Sequence, residues 1–113
     1  MRLMLPVPPS VNELYAPTKR GGRYKTKKYR AWLSQAGWYL LMASPKPEAV
    51  SGPYRLSMRV PATMQGDVDN RLKAMLDFLV NTGLTDDDRW CRRATVERDE
   101  ALTIYAEIEV EAA

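Results

Sequence analysis

Apolar residues recur along this chain with two different periods, and the alternation between them predicts the fold. Arg2 to Val7 is short, mostly apolar, and runs into Pro6, Pro8 and Pro9. Proline lacks the amide that an interior ladder needs, so the segment predicts a first strand at a sheet edge, closed by an extended turn. Residues 15–28 have no apolar period and hold Pro17, Gly21, Gly22 and many bases, which predicts a mobile loop. From Thr26 onward Tyr29, Trp32, Leu33, Ala36, Leu40 and Ala43 follow helical spacing, with Thr26 or a neighbour as N-cap and Ser44, Pro45 and Pro47 as the stop. Tyr54, Leu56, Met58 and Val60 then alternate with Arg55, Ser57 and Arg59, the period of a strand with one buried face. Leu72, Met75, Leu76, Leu79 and Val80 return to helical spacing. This predicts a second helix from about Asn70 to Asn81, capped by Asp69 or Asn70 and stopped by Gly83. Strands are expected at Trp90–Arg98 and Thr103–Val110, the last with Ile104, Ala106, Ile108 and Val110 on one face. The order β-α-β-α-β-β predicts one α+β domain over residues 1–113, a mixed sheet with two main helices.

Composition narrows the chemistry. The chain of 113 residues is 45% apolar and 27% charged, and no run approaches the roughly 20 apolar residues of a membrane helix. The stretch Met1–Pro6 lacks the apolar core of about 7 to 15 residues that marks a secretory signal, so a cytoplasmic protein is expected. There is no histidine, and Cys91 is the only cysteine. Imidazole bases, Ser-His-Asp triads, thiolate zinc cages and intrachain disulfides are therefore excluded. A bound metal would need oxygen ligands, which points to a hard cation such as Mg²⁺ or Mn²⁺. Charge is divided unevenly: residues 1–60 carry eleven Lys/Arg against two Glu, and residues 61–113 carry six against twelve Asp/Glu. A basic half beside an acidic half suits a protein that holds a polyanion in one region and a divalent cation in another.

The acidic half contains the segment Gly66-Asp67-Val68-Asp69-Asn70-Arg71-Leu72-Lys73-Ala74-Met75-Leu76-Asp77. Asp67 and Asp69 are two apart, so an extended backbone would turn both carboxylates to the same side just before a helix. Lys73, four residues after Asp69, would lie over the same face of the first turn. Phosphodiester hydrolysis needs an activated water, a Lewis acid on the phosphate, and help for the charge on the leaving oxygen. Carboxylate-bound Mg²⁺ supplies the first two. Lysine can serve the third, or can position or deprotonate water if its pKa is lowered. Two aspartates are few for such a site, and Asp88 is the candidate third. Eight residues from Val80 span at most roughly 26 to 29 Å, whereas ten helical residues cover only about 15 Å, so the chain can return to the helix start. Asp87 is the second choice, and Asp86 is a third neighbouring acid.

Each residue also has a structural explanation. Asp69 can be a plain N-cap, Asp69-Lys73-Asp77 a helical charge ladder, and Asp86 to Asp88 a polar turn. A calcium-binding loop fits the first two aspartates and then fails, because Arg71, Leu72 and Phe78 stand where a ligand, a glycine and a bidentate glutamate are needed.

Taken together, Asp67-x-Asp69-Asn70-x-x-Lys73-x-x-x-Asp77, then Gly83 and Asp87-Asp88, resembles the signature of the RusA family of Holliday junction resolvases. The N-terminal Leu5-Pro6-Val7-Pro8-Pro9-Ser10-Val11-Asn12, followed by a basic loop and an aromatic helix, is similar to the same family, so the likeness covers residues 3 to about 98. It implies a homodimer that cuts four-way junctions with Mg²⁺ or Mn²⁺. It also implies that Asp67, Asp69 and Asp88 are the metal-binding catalytic acids, that Lys73 is the catalytic lysine, and that Asn70, Asp77 and Asp87 are supporting positions. Paired cuts at symmetry-related sites suit a twofold dimer with one metal site per subunit.

The basic segment then acquires a role. Lys19, Arg20, Arg23, Lys25, Lys27, Lys28 and Arg30 place seven cations in twelve residues, with Tyr24 and Tyr29 interleaved. On DNA such a run contacts phosphates and releases counterions without reading bases. A solvated loop that aids solubility is the alternative. Arg92, Arg93 and Arg98 are further candidates for the DNA surface. Trp32 belongs to the core stripe, while Trp38 and Tyr39 lie partly off it and suit a dimer interface or packing under a strand. Two other functions remain open: a noncatalytic DNA-binding module in which the acids are structural, and a nuclease with broader taste for flaps or forks.

Overall fold

A computed structural model describes all 113 residues. Strand β1 (Arg2–Pro6) leads through a 3-10 turn at Val11–Glu13 to the short strands β2 (Tyr15–Pro17) and β3 (Arg23–Lys25), then to helix α1 (Lys27–Met42). Strand β4 (Tyr54–Pro61), helix α2 (Leu72–Asn81), a 3-10 turn at Asp88–Trp90, and strands β5 (Cys91–Asp99) and β6 (Tyr105–Ala112) complete the chain. The main sheet has the order β1-β6-β4-β5, and β1 is at an edge as its prolines require. Strand β4 pairs with β5 in parallel and with β6 antiparallel, so the sheet is mixed and the fold is α+β. Two parallel neighbours cannot be joined by a hairpin. Helix α2 is the crossover between them, and the loops at its two ends carry the acidic motif.

The alternation read in β4 is realised: Tyr54, Leu56, Met58 and Val60 are buried, while Arg55 and Ser57 are exposed. Ala106, Ile108 and Val110 supply the matching face of β6, but Ile104 lies before the strand and is 64% exposed. The predicted face is one residue pair too long because the turn that follows β5 at Asp99 runs through Ile104, and β6 starts only at Tyr105. The core of 18 buried residues joins this sheet face to both helices. Trp32 of α1 packs edge-on against Phe78 of α2 with ring centroids 5.4 Å apart, and its indole donates to the Pro6 carbonyl at 2.9 Å. Leu56 is almost wholly buried, and its truncation to alanine would cost about 2–5 kcal/mol. No helix is long and apolar enough to cross a membrane.

Helix α1 begins as expected, with the Thr26 hydroxyl accepting from the Tyr29 amide at 3.1 Å. Its end is set by the chain turning extended at Ala43. Helix α2 ends in a Schellman arrangement, Gly83 N–H to Val80 O and Leu84 N–H to Leu79 O, made possible by φ of 77° at Gly83. Its start differs from the prediction. Neither Asp69 nor Asn70 caps it; Arg71 stands at the N-cap without a side-chain hydrogen bond.

Residues 15–28 are not a loop. Strands β2 and β3 pair antiparallel, Tyr15 with Lys25 and Pro17 with Arg23. The turn is closed by Thr18 N–H to Gly22 O at 2.8 Å and by Gly22 N–H to the Thr18 hydroxyl at 2.9 Å. Each strand is three residues long, too short to show an apolar period, so the hairpin had no signature in hydropathy.

Candidate active site

The loop that follows β4 carries Asp67 and Asp69 into α2 through a series of turns. Asn70 N–H donates to Asp67 O at 3.2 Å and Leu72 N–H to Asp69 O at 3.1 Å. The backbone between the two aspartates is therefore bent rather than extended, and strand geometry does not align their carboxylates. Both aspartates are exposed, and neither takes part in any ion pair of the molecule. Gly66 supplies the bend with φ of 87°, and a Cβ there would meet the Asn70 side-chain amide at 3.4 Å. The positive φ alone would strain any other side chain at position 66.

Lys73, in the first turn of α2, makes no ion pair with Asp69. Its ammonium donates to Asp77 at 3.0 Å, and it lies 3.7 Å from an oxygen of Asp88. The chain after α2 thus returns to the helix's first turns, as the length estimate allowed. The hydrogen bond from Lys73 to Asp77, reinforced by the charges of Asp77 and Asp88, raises the lysine pKa above its ordinary 10.5. A lowered pKa would be needed for Lys73 to deprotonate water. The shift favours the ammonium form, whose charge Asp77 and Asp88 face.

The three consecutive aspartates have three different engagements. Asp86 accepts from the Gly52 amide at 2.8 Å and so ties the turn to the loop before β4. Asp87 accepts from the Arg89 amide at 3.0 Å, which caps the 3-10 turn and pulls its pKa down. Asp88 faces Lys73. Sequence spacing cannot distinguish three adjacent acids; their separate partners do.

Two arginines that residue spacing does not assign to the site grip the acidic loop. Arg71 donates to Pro8 O at 2.9 Å and to Gln65 O at 3.3 Å. Arg98, considered above as a DNA contact, donates to Ala62 O at 3.2 Å, Met64 O at 2.6 Å and Gly66 O at 2.6 Å. The Val11 amide donates to Asn70 O at 2.8 Å, so the N-terminal proline segment and the acidic motif, far apart in sequence, meet here. Only backbone carbonyls are involved, and these leave no trace in residue type.

The donors in this region are carboxylate oxygens, which suit a hard cation in kind. No group of three acids or thiolates stands close enough to enclose an ion unaided. Two carboxylates about 4 Å apart near a protein surface repel by about 4 kcal/mol, which opposes such gathering without a cation. The basic residues of the hairpin and α1, Lys19, Arg20, Arg23, Lys25, Lys27, Lys28 and Arg30, are all exposed. Lys28 pairs with Glu13 at 2.6 Å, and Arg23 lies over the Tyr15 ring at 4.5 Å. Trp38 is 63% exposed, while Tyr39 shares a hydrogen bond with Tyr105 between hydroxyls 2.8 Å apart.

Among curated proteins none matches the chain. The family model described as Endodeoxyribonuclease RusA matches residues 6–111. That span takes in the proline segment, the basic hairpin, both helices, and the loops that carry Asp67, Asp69, Lys73 and Asp88. On a match over nearly its whole length, the chain belongs to the RusA endodeoxyribonuclease family.

Proposed function

We propose that residues 1–113 act as one structure-selective endodeoxyribonuclease domain that resolves four-way DNA junctions. The observation that carries this reading is the Lys73 ammonium held between Asp77 and Asp88 at the start of α2, beside a loop whose two aspartates have no ion-pair partner. Asp67, Asp69 and Asp88 would hold a Mg²⁺ or Mn²⁺ ion. Such an ion, when bound, activates water and withdraws charge from the phosphate. Lys73, kept protonated by its neighbours, offers positive charge to the oxygen that departs from phosphorus. Asp77 keeps that ammonium aimed, Asp87 shapes the turn that carries Asp88, and Asn70 packs over Gly66 in the loop. The hairpin cations and those at the start of α1 hold the phosphate backbone of the arms, which offsets the repulsion between DNA and the acidic loop. Two copies related by a twofold axis would make paired cuts in strands of like polarity.

The test is incubation of the purified protein with a synthetic four-way junction and Mg²⁺, with nicks mapped on each strand. Symmetrically paired nicks that vanish on chelation support the reading. Binding without nicks would leave a DNA-binding module, and equal cutting of flaps and forks would broaden the substrate class.

A further inference from the structure

We infer that Arg98 is a positioning residue for the acidic loop: together with Arg71 it holds the backbone of residues 62–66 in the course that delivers Asp67 and Asp69 to the start of α2. The inference deepens the nuclease reading and rests on it for its catalytic consequence.

Strand β4 ends at Pro61, and its pairing with β6 ends earlier, at Arg59 opposite Glu107. Pairing with β5 continues to Pro61 opposite Asp99; beyond it the Ala62 amide reaches Asp99 O at 3.2 Å and the ladder stops. The loop carbonyls would then face water, and a loop held by water alone samples many courses. Instead a guanidinium holds the carbonyls of Ala62, Met64, Gln65 and Gly66, leaving only Thr63 outside. Arg98 takes three of the four. It sits opposite Val60 in the parallel register of β4 and β5, so it projects from a strand fixed to the one the loop is leaving.

The geometry requires arginine. A guanidinium presents its donors in a rigid planar fork, whereas lysine has one nitrogen on a flexible stem. Arg71 completes the grip by joining Gln65 O to Pro8 O, and its Nε is buried without a partner. Both arginines also bring fixed positive charge to a loop with two unpaired carboxylates. With both terminal nitrogens engaged by carbonyls, Arg98 is turned toward the protein rather than toward a phosphate.

Arg98→Lys and Arg98→Met separate these roles. Arg98 is exposed, so both variants should fold, as checked by circular dichroism. Hydrogen exchange should show loss of protection confined to amides of residues 62–70 in both. With Mg²⁺ and a four-way junction, kcat should fall on the order of 10²-fold, the cost of misplacing a reacting group by about 1 Å. Junction affinity in Ca²⁺ and its salt dependence should stay as in the parent. Unchanged loop protection with unchanged kcat would overturn the inference. So would weakened affinity with a salt slope smaller by about one, the mark of a lost phosphate contact. Should the parent protein itself fail to cut junctions, the nuclease reading falls, and the exchange measurement still decides whether Arg98 orders the loop.

Discussion

The open face of the sheet and the loops at the start of α2 are both crowded with charge, yet they treat carboxylates in opposite ways. On the sheet, Arg59 bridges Asp99 and Glu107, Arg2 reaches Glu107 and Glu109, and Arg55 meets Glu111. These acids each have an arginine on a neighbouring strand, which is what cross-strand pairing on a solvated face provides. At α2, Asp77 and Asp88 share one lysine, and Asp67 and Asp69 have none. Arg71 and Arg98, the two arginines that grip that loop, are directed at carbonyls instead. An acid matched by a cation has its charge satisfied within the fold. An acid left unmatched on a loop that other residues hold in place is available to a cation from outside.

Four experiments bear on that contrast. Asp69→Asn removes an unmatched charge and should lower cleavage by at least about 10²-fold, the usual cost of losing a charge-stabilising group, while junction binding in Ca²⁺ persists. Near-normal cleavage by this variant would show that the unpaired acids are ordinary surface charge. Lys73→Met should lower kcat by on the order of 10²-fold with little change in affinity; equal losses in both would move Lys73 to DNA docking. The same variant has a pH signature. A lysine whose folded pKa is raised stabilises the fold fully below 10.5, and this contribution is lost as pH rises through the folded value. Wild-type urea midpoints should therefore fall more than those of Lys73→Met between about pH 9 and about pH 12.

Third, Lys19→Ala with Arg20→Ala at the hairpin turn should weaken junction binding and reduce the salt slope by about two, with kcat at saturation unchanged. An unchanged slope would assign these cations to solubility. The smallest effect is expected on the sheet face. Arg59→Met breaks half-buried pairs at the rim of the sheet face, so the urea midpoint should fall modestly while cleavage should match the parent. A large loss of cleavage would show that the matched charges also serve the site.

Much of the molecule was legible in the order of its residues. The strands at Tyr54–Pro61 and Tyr105–Ala112 and both helices declare themselves because one-sided burial imposes a period on residue type. The motif residues were visible for a different reason: Asp, Asn and Lys at fixed spacing are unusual, and the absence of histidine and the single cysteine left few other chemistries. The hairpin at residues 15–28 was missed because its strands are short and exposed. The start of α2 was misread because aspartate and asparagine are good caps in general, whereas here their backbone forms turns before the helix begins.

Sequence alone determined most element types, the buried faces, the division of charge, the restriction to oxygen ligands, and the small set of candidate acids. Only the tertiary structure decided which of Asp86, Asp87 and Asp88 meets Lys73, that the lysine's neighbours favour its charged form, and that Arg71 and Arg98 hold the acidic loop. Periodicity records what a residue buries and so is written along the chain. Which carbonyl a guanidinium reaches depends on how distant segments are brought together, and since every residue has a carbonyl, residue type does not record the choice.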